Sequence, residues 1–335
     1  MMMRTKVDGK KIPKITLLFR TVLWGVGRFG SDGRFKSDGR FKSDNAILVY
    51  MALVKLIIHL LTANNYGYFG DELYWLAMSK HLDFGYVDVP PLVAYLGALW
   101  RFLFGASLFA VRLLPAIAGA VMVFFAGLLA REMGGGRLAQ GFTCLMVLFA
   151  PFWLVVNSWY AYDPFDQLCA VILLYLVARL IKQETPAAYT GARQWLTLGL
   201  IAGLGIMTKL SMIFMLGALM LAWLASPWLE GYGWKSFRVF LRKDATRWPW
   251  LAALLAVLLC TPYLVWQSAH SWPLLTYWRN YALFRPHLQP WQFLTQLILY
   301  LNPILAPVWL LGLWYLLFHP EGKRYRILGL SFLVL

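Results

Sequence analysis

The sequence predicts an all-α integral membrane protein with several membrane-spanning helices. Of its 335 residues, 60% are apolar and 14% are charged, and the mean hydropathy is +0.60. Soluble domains average about 45–50% apolar and about 25% charged residues. Aromatic residues make up 17% of the chain, and Trp and Tyr are enriched at membrane interfaces. These observations exclude a disordered chain, a soluble enzyme and a small disulfide-stapled secreted domain.

The apolar stretches set the number of predicted spans, because a helix needs about 20 apolar residues to cross a bilayer. Such stretches lie at 46–63, 109–130, 138–157, 165–181, 195–227, 248–267 and 293–318, and another begins near Ile327. The stretch 195–227 is long enough for two short spans joined by a tight turn near Thr208–Ser211. Residues 64–108 are predicted to form a long first outer loop that holds one or two interfacial or re-entrant helices, one of them beginning at Pro90-Pro91.

The positive charge alternates between loops. The net charge is +16, and 11 of the 31 Lys and Arg residues fall within residues 1–45. Most of the others cluster in four short segments around Arg131, Arg179, Arg242 and Arg324. Basic loops on one side are typical of the cytoplasmic face. This pattern predicts a multi-pass protein of the cell inner membrane with a cytoplasmic N-terminus and outer loops at 64–108, 158–164, 208–211 and 268–292. It argues against nucleic acid as a partner.

The first 45 residues differ in composition from the remainder. GRFGSD is followed by two copies of GRFKSD between Gly27 and Asp44. A six-residue period matches neither a helix nor a strand, so 1–45 is predicted to be a disordered basic cytoplasmic tail. Residues 46–335 are predicted to form the transmembrane domain. Its last apolar stretch stops at Leu335, which indicates a C-terminally incomplete domain.

The strongest candidate site is the segment Tyr66-Gly-Tyr-Phe-Gly-Asp71-Glu72-Leu-Tyr74-Trp75, directly after the first span. A carboxylate held at a membrane boundary can accept a proton from a hydroxyl, so Asp71 and Glu72 are candidate catalytic residues. Neighbours on a helix point about 100° apart, and we therefore expect only one of them to face a site. The alternative interpretation is two acids on a solvated loop.

Two further acidic clusters lie in predicted outer loops. Asp163-Pro164 is a common helix-capping arrangement, but Asp163 also lies at the same membrane edge as Asp71. The two acids are predicted to meet in one cavity, where they would hold a divalent metal ion or orient an acceptor hydroxyl. The cluster from Tyr86 to Pro91 is most often a rigid turn; in the functional interpretation Tyr86 and Asp88 contact the substrate.

Basic residues supply the candidate anion site. Lys209 lies in the middle of an apolar block, and a charge at membrane depth normally marks a functional site. Its expected partner is a lipid phosphate, and the alternative is a snorkelling lysine. Arg279 and Arg285, on the later outer loop, are candidates to extend a phosphate clamp. Lys55 and His59 share one face of the first span and are interpreted as structural.

Three motifs carry a resemblance to a known family. They are the segment 66–74, Gly85-Tyr-Val-Asp-x-Pro-Pro-Leu92 and Arg112-Leu-Leu-Pro115. Between residues 46 and 315 the chain resembles polytopic polyprenyl-phosphate-sugar glycosyltransferases, in the bacterial branch similar to dolichyl-phosphate-mannose–protein mannosyltransferases and the aminoarabinose transferases of lipid A. The resemblance implies a glycosyltransferase-C fold, with Asp71 as catalytic base, Asp163 opening the fourth span and Lys209 near the carrier phosphate. Such relatives usually have more spans and often a C-terminal outer domain.

The function implied by this resemblance is transfer of a sugar from a polyprenyl-phosphate donor to a hydroxyl of a lipid, glycan or protein acceptor. The expected reaction is a single inverting displacement at the outer membrane face, with no certain cofactor apart from the candidate divalent metal ion. One alternative is a transporter or lipid-carrier flippase, with Lys209, Lys55 and His59 along the path of an anionic substrate. Transporters often contain inverted repeats, and the two halves show none. The other alternative is an inactive, truncated relative.

Overall fold

The computed structural model describes residues 41–182, 190–229, 247–284 and 289–335, and throughout these ranges the regular secondary structure is helical. The predicted tail falls outside them apart from its last five residues. Those five residues belong to the first helix, which begins at Phe41 rather than near residue 46. The candidate Arg285 also lies outside the described residues.

The first half of the chain contains helices α1 to α7. Their bounds are α1 Phe41–Thr62, α2 Gly70–Met78, α3 Leu92–Phe104, α4 Leu108–Glu132, α5 Arg137–Phe149, α6 Pro151–Val156 and α7 Asp163–Lys182. The second half contains α8 Thr190–Thr208, α9 Ser211–Leu229, α10 Arg247–Ala269, α11 Pro273–Phe284, α12 Pro290–Tyr300, α13 Ala306–Phe318 and α14 Arg326–Val334, with 3₁₀ turns at Pro303–Leu305 and Lys323–Tyr325.

The chain is a multi-span membrane protein. Within the described ranges, four unbroken helices are long and apolar enough to cross a bilayer: Asn45–Thr62 of α1, and the whole of α4, α7 and α10. They coincide with the predicted spans at 46–63, 109–130, 165–181 and 248–267. Length and continuous apolar character were therefore sufficient to find them.

Three other predicted spans are interrupted. The stretch 195–227 divides into α8 and α9 at residues 209–210, which confirms the predicted turn. The stretch 138–157 divides into α5 and α6 at Pro151, whose ring nitrogen has no proton to donate within a helix. In the stretch 293–318, α12 meets the segment Pro303–Phe318 at 96°. At this bend Asn302 has φ 82° and its side chain accepts a hydrogen bond from the Ile304 amide at 3.1 Å.

Small residues allow the spans to pack closely. Helix α8 packs against α10 at Gly199, where a Cβ atom would lie 2.7 Å from the Cα atom of Ala252. A second cluster joins α1, α4 and α5 around Leu48, Val123 and Cys144, all of which are completely buried. The helices α4, α7 and α8 therefore form a compact bundle flanked by α1 and α10.

Three of the basic segments, around Arg131, Lys182 and Arg324, meet at one end of this bundle, which we call the basic end; the segments 1–40 and 230–246 lie outside the described residues. Arg131 donates to the side chain of Asn45 at 2.8 Å, and Lys182 pairs with Glu132 at 3.2 Å. Arg324 donates to the Lys182 carbonyl at 2.7 Å. Basic segments that are distant in sequence thus meet at one end, as the charge pattern predicts. The loops at the opposite end, which we call the site end, hold the candidate site residues.

Candidate active site

The site end is covered by the chain between α1 and α4. This segment contains two helices, α2 and α3, as the sequence predicts for residues 64–108. Helix α3 begins at Leu92 with Pro91 in the preceding cap position, which confirms the predicted helix start. Proline fixes the backbone where the chain enters the helix. The loop is therefore held in shape by its own helices and by contacts to the spans.

A buried ion pair fastens this segment to the bundle. The guanidinium of Arg112 on α4 donates to both carboxylate oxygens of Glu72, at 3.0 and 2.7 Å. The other Arg112 hydrogen bonds go to the carbonyl oxygens of Ala63, Tyr66 and Gly67, at 2.7 to 3.0 Å. Arg112 thus joins the end of α1, the following loop and α2.

Glu72 is fully engaged as an acceptor. Besides Arg112, its carboxylate accepts hydrogen bonds from the backbone N–H of Phe69 at 2.9 Å and of Tyr160 at 3.0 Å. The side chain is 0% exposed. Each oxygen accepts two hydrogen bonds, so both are satisfied where they lie. Glu72 holds together α2, the loop before it and the loop before α7.

Asp71 has the opposite environment, although it precedes Glu72 directly. Its side chain is exposed in the first turn of α2. Its carboxylate makes no hydrogen bond or ion pair with any residue in the described ranges. The two adjacent acids point in different directions, as expected from their positions on a helix. Asp71 is therefore available to an external ligand, and Glu72 is not.

Asp163 and Lys209 form a second ion pair at the site end. Lys209 lies in the turn between α8 and α9, and its Nζ atom is 2.7 Å from the Asp163 Oδ1 atom. The same Nζ atom lies 4.4 Å from the centroid of the Tyr162 ring. The two side chains are 33% and 27% exposed. The sequence suggested a lipid phosphate as the partner of Lys209; the structure adds a carboxylate partner within the chain.

Asp166 supports this pair from the next turn of α7. Its Oδ2 atom accepts a hydrogen bond from the Ser211 hydroxyl at 3.2 Å, and Ser211 is the first residue of α9. Its Oδ1 atom is buried with no partner in the described part of the chain. Asp166 therefore ties α7 to the turn that carries Lys209.

Tyr162 lies between the two groups of acids. Burial raises the pKa of its hydroxyl; Lys209 opposes this shift, while Asp163, Tyr277 and Asp71 add to it. All these groups are thus within electrostatic range of one hydroxyl. The ring of Tyr162 also packs edge-on against Trp75, with centroids 4.7 Å apart. Asp71 and Asp163 thus both influence the Tyr162 hydroxyl; that they meet in one cavity stays a prediction.

Asp88 and Tyr86 contact the protein itself. The Tyr74 hydroxyl donates to Asp88 Oδ1 at 2.6 Å, and burial followed by this hydrogen bond raises the pKa of Tyr74. The Tyr86 hydroxyl donates to the carbonyl oxygen of His81 at 2.9 Å. The buried amide of Gln267 on α10 donates to the Tyr86 carbonyl at 3.0 Å. These contacts fix the loop before α3 against α2 and α10.

An open cavity of about 670 Å³ adjoins this loop. It is lined by Val87, His270, Ser271, Pro273, Thr276, Tyr277, Asn280 and Tyr281. Its lining includes Ser271, in the turn between α10 and α11. In this turn Ser271 and Trp272 have φ values of 62° and 56°. Such left-handed conformations in residues other than glycine are uncommon and cluster at functional sites. Sequence reasoning selected His270 as an addition to the phosphate clamp but did not locate the cavity, because its other lining residues are neutral side chains with no marked pattern.

The remaining candidates fit less closely. Arg279 is exposed on α11 and does not line the cavity. No group of three or more potential His, Cys, Asp or Glu metal ligands occurs in the described ranges. An ammonium already lies 2.7 Å from Asp163 Oδ1 and competes with any cation there. The pair Asp71 and Asp163 is thus a poor fit for a divalent metal ion.

Comparison with known proteins gives three matches. The family model for dolichyl-phosphate-mannose-protein mannosyltransferase matches residues 88–266. Undecaprenyl phosphate-alpha-4-amino-4-deoxy-L-arabinose arabinosyl transferases of Pseudomonas aeruginosa and Pseudomonas paraeruginosa are 29% identical over 234 residues, which is 66% of this chain and 39% of theirs. The chain thus spans about two fifths of the length of these curated relatives.

The third match is a solved structure, that of ArnT from Cupriavidus metallidurans in the apo state. It superposes with a TM-score of 0.61 at 20% identity, covering 86% of this chain and 54% of that one. This likeness shows that the helices have the glycosyltransferase-C arrangement. The family match covers more than half of the chain, from the Asp88 loop through Asp163 and Lys209 to α10. The chain therefore belongs to the dolichyl-phosphate-mannose-protein mannosyltransferase family.

Proposed function

We propose that this chain is the catalytic membrane domain of a glycosyltransferase, which transfers a sugar from a polyprenyl-phosphate carrier to an acceptor hydroxyl at the site end. The observation that carries this proposal is the contrast between Asp71 and Glu72. One carboxylate is clamped by Arg112 and backbone amides. Its neighbour is exposed and acts electrostatically on Tyr162, the ring that Lys209 contacts. A rigidly held helix thus presents one available base to an electrostatically organised region.

Asp71 acts as the general base. It removes the proton of the acceptor hydroxyl while the hydroxyl oxygen attacks the anomeric carbon of the donor sugar. The bond between that carbon and the phosphate oxygen breaks, and polyprenyl phosphate leaves with the bonding electrons. A single displacement of this kind inverts the anomeric centre. General-base catalysis contributes about 10²–10⁴-fold to the rate.

Lys209 stabilises the leaving phosphate. An ammonium has three N–H donors, and the described structure uses one of them for Asp163. The others can point to phosphate oxygens as negative charge develops on them. Asp163 and Asp166 keep the lysine and its turn in place. Glu72 acts as a positioning residue for α2, and Asp88 and Tyr86 shape the adjoining cavity wall. Arg279 and Arg285 are proposed as peripheral contacts to the carrier phosphate.

The orientation and partners follow from the same proposal. With its basic end at the cytoplasmic face, the chain lies in the cell inner membrane and the site end faces the periplasm or exterior. The curated relatives are named for an undecaprenyl phosphate-linked amino sugar, which supports a polyprenyl-phosphate donor here. The acceptor is a membrane lipid, a glycan or a protein.

The test is sugar transfer by the protein reconstituted in liposomes, from a labelled polyprenyl-phosphate sugar to acceptors in added membrane extract. Asp71→Asn should lose at least about 100-fold of the transfer rate and retain donor binding. Asp83→Asn is the matched control, because Asp83 is an exposed acid in the same loop whose Oδ1 atom accepts only its neighbouring amide. It should transfer at the wild-type rate. Near-normal transfer by Asp71→Asn would overturn the assigned base, and tight donor binding without transfer by the wild type would favour a flippase.

A further inference from the structure

Lys55 is an unusual residue in the middle of α1. Its side chain is 0% exposed, so it does not snorkel to the membrane surface. A lysine at this depth costs several kcal/mol, is normally paired with another charged side chain or a backbone carbonyl, and marks a functional role. Within the described ranges no carboxylate pairs with it; its Nζ atom donates to the carbonyl oxygen of Trp153 at 2.9 Å. The place of this carbonyl in the fold therefore indicates what Lys55 does.

The Trp153 carbonyl lies in α6 and accepts hydrogen bonds from three donors. It accepts the backbone N–H of Asn157 at 3.3 Å and the Asn157 side-chain amide at 2.8 Å, in addition to the Lys55 ammonium. Asn157 is 0% exposed. A Cβ atom on Gly119 of α4 would lie 2.7 Å from its side-chain carbon. The end of α6 is therefore fixed between α1 and α4.

The chain that leaves this point leads directly to the candidate site. Three residues after Asn157, the Tyr160 amide donates to Glu72 at 3.0 Å and the Tyr160 hydroxyl donates to the carbonyl oxygen of Val93. Tyr162 and Asp163 follow. Two connections thus run from this part of the chain to α1 and its end. The Trp153 carbonyl, four residues before segment 157–163, accepts from Lys55, and Tyr160 within the segment is linked through Glu72 and Arg112 to the Ala63 carbonyl.

We propose that Lys55 is a positioning residue that holds segment 157–163, and with it Tyr162 and Asp163, in the geometry required for sugar transfer. This inference rests on the proposed function. The Nζ donor of Lys55 fixes the Trp153 carbonyl at 2.9 Å, and an apolar side chain at this position has no N–H with which to do so. Burying the lysine lowers the stability of the fold, so its contribution is to precision and not to stability.

Three variants of the full chain test this role. Lys55→Met keeps the length and apolar stem of the side chain but removes the charge and the donors. Lys55→Gln keeps a neutral N–H donor. Lys182→Met is the control, because Lys182 is a half-exposed lysine at the basic end. The readouts are kcat and donor KM in liposomes, the thermal midpoint, and hydrogen exchange of the amides in segment 157–163.

Lys55→Met should lower kcat about tenfold or more, since small displacements at a reacting centre cost up to about 100-fold, with donor KM unchanged. Its thermal midpoint should equal or exceed that of the wild type, because a costly buried charge has been removed. The Tyr160 amide should exchange faster. Lys55→Gln should recover part of the loss in kcat, and Lys182→Met should match the wild type.

The results that would overturn this inference differ from the result that would overturn the proposed function. A lower thermal midpoint together with a loss of activity no greater than the loss of folded protein would make Lys55 a structural residue and overturn the inference. Wild-type kcat in Lys55→Met would overturn it as well. If the wild type transfers no sugar, the proposed function fails. In that case unchanged exchange of segment 157–163 in Lys55→Met would reject the positioning role independently.

Discussion

The guanidinium of Arg112 donates two hydrogen bonds to the carboxylate of Glu72, at 3.0 and 2.7 Å, and the two side chains are 7% and 0% exposed. These residues come from different elements, α4 and α2. Their pairing fixes the direction of the first turn of α2 and so determines where Asp71 points. The direction of the exposed Asp71 side chain therefore depends on the buried Glu72.

This dependence predicts different consequences for the two neighbouring acids. Glu72→Gln leaves Arg112 as a buried charge without its partner, and breaking a buried pair in this way costs about 3–5 kcal/mol. We expect a large drop in the thermal midpoint of the purified protein in detergent, together with loss of transfer. Asp71→Asn should lose transfer at an unchanged midpoint. Equal midpoints for wild type and Glu72→Gln would show that the pair does not hold α2.

The pair Asp163–Lys209 predicts a coupled effect on the donor. Lys209→Met should lower kcat/KM for the donor about tenfold or more, because a hydrogen bond to a charged group is worth about 1.5–3 kcal/mol and about 1.4 kcal/mol corresponds to a factor of ten. Asp163→Asn should lower kcat/KM for the donor less than Lys209→Met does. The loss in the double variant should be smaller than the two single losses combined, since each side chain acts partly through the other.

The measurement is a double-mutant cycle on kcat/KM in liposomes. Lys80→Met provides the control, because Lys80 is an exposed lysine in the segment between α1 and α4. Strictly additive losses at Asp163 and Lys209 would indicate that the two side chains contact the substrate independently, in disagreement with the 2.7 Å ion pair.

The sequence and the structure agree where the signal is local. The apolar runs locate α1, α4, α7 and α10, and the polar residues between Thr208 and Ser211 locate the turn that carries Lys209. The motif after the first span selects Asp71 as a candidate, because acids and aromatic residues are adjacent there in the chain, and the structure leaves this side chain exposed. Each of these features is contained in a short window, so periodicity and residue type are sufficient to find it.

Contacts between distant segments could not be predicted from periodicity and residue type in short windows. Glu72 and Arg112 are 40 positions apart, and Lys209 and Asp163 are 46 apart. Many cations are candidate partners for each acid, and only the packing of the spans selects one. Lys55 is a stronger example. Its partner is a backbone carbonyl, which every residue possesses, so no sequence pattern identifies it.

The close packing of α8 and α10 predicts a sharp difference between two glycines. Gly199 is buried, and a Cβ atom there would lie 2.7 Å from the Cα atom of Ala252. Backbone cannot move aside as a side chain can, so Gly199→Ala should destabilise the protein by about 1–3 kcal/mol. It should also displace α8, whose end carries the turn with Lys209, and thereby lower kcat/KM for the donor.

Gly217 supplies the matched comparison, since it is an exposed glycine within α9 and an added Cβ atom would meet nothing within 4 Å. Gly217→Ala should leave the thermal midpoint unchanged or raise it, because alanine favours a helix over glycine by about 1 kcal/mol. The two variants introduce the same methyl group into neighbouring helices, so composition and membrane insertion are matched. A midpoint for Gly199→Ala equal to that of Gly217→Ala would contradict the close approach of α8 and α10. A lowered midpoint with unchanged kcat/KM for the donor would show that the position of Lys209 is set by Asp163 and Asp166 alone.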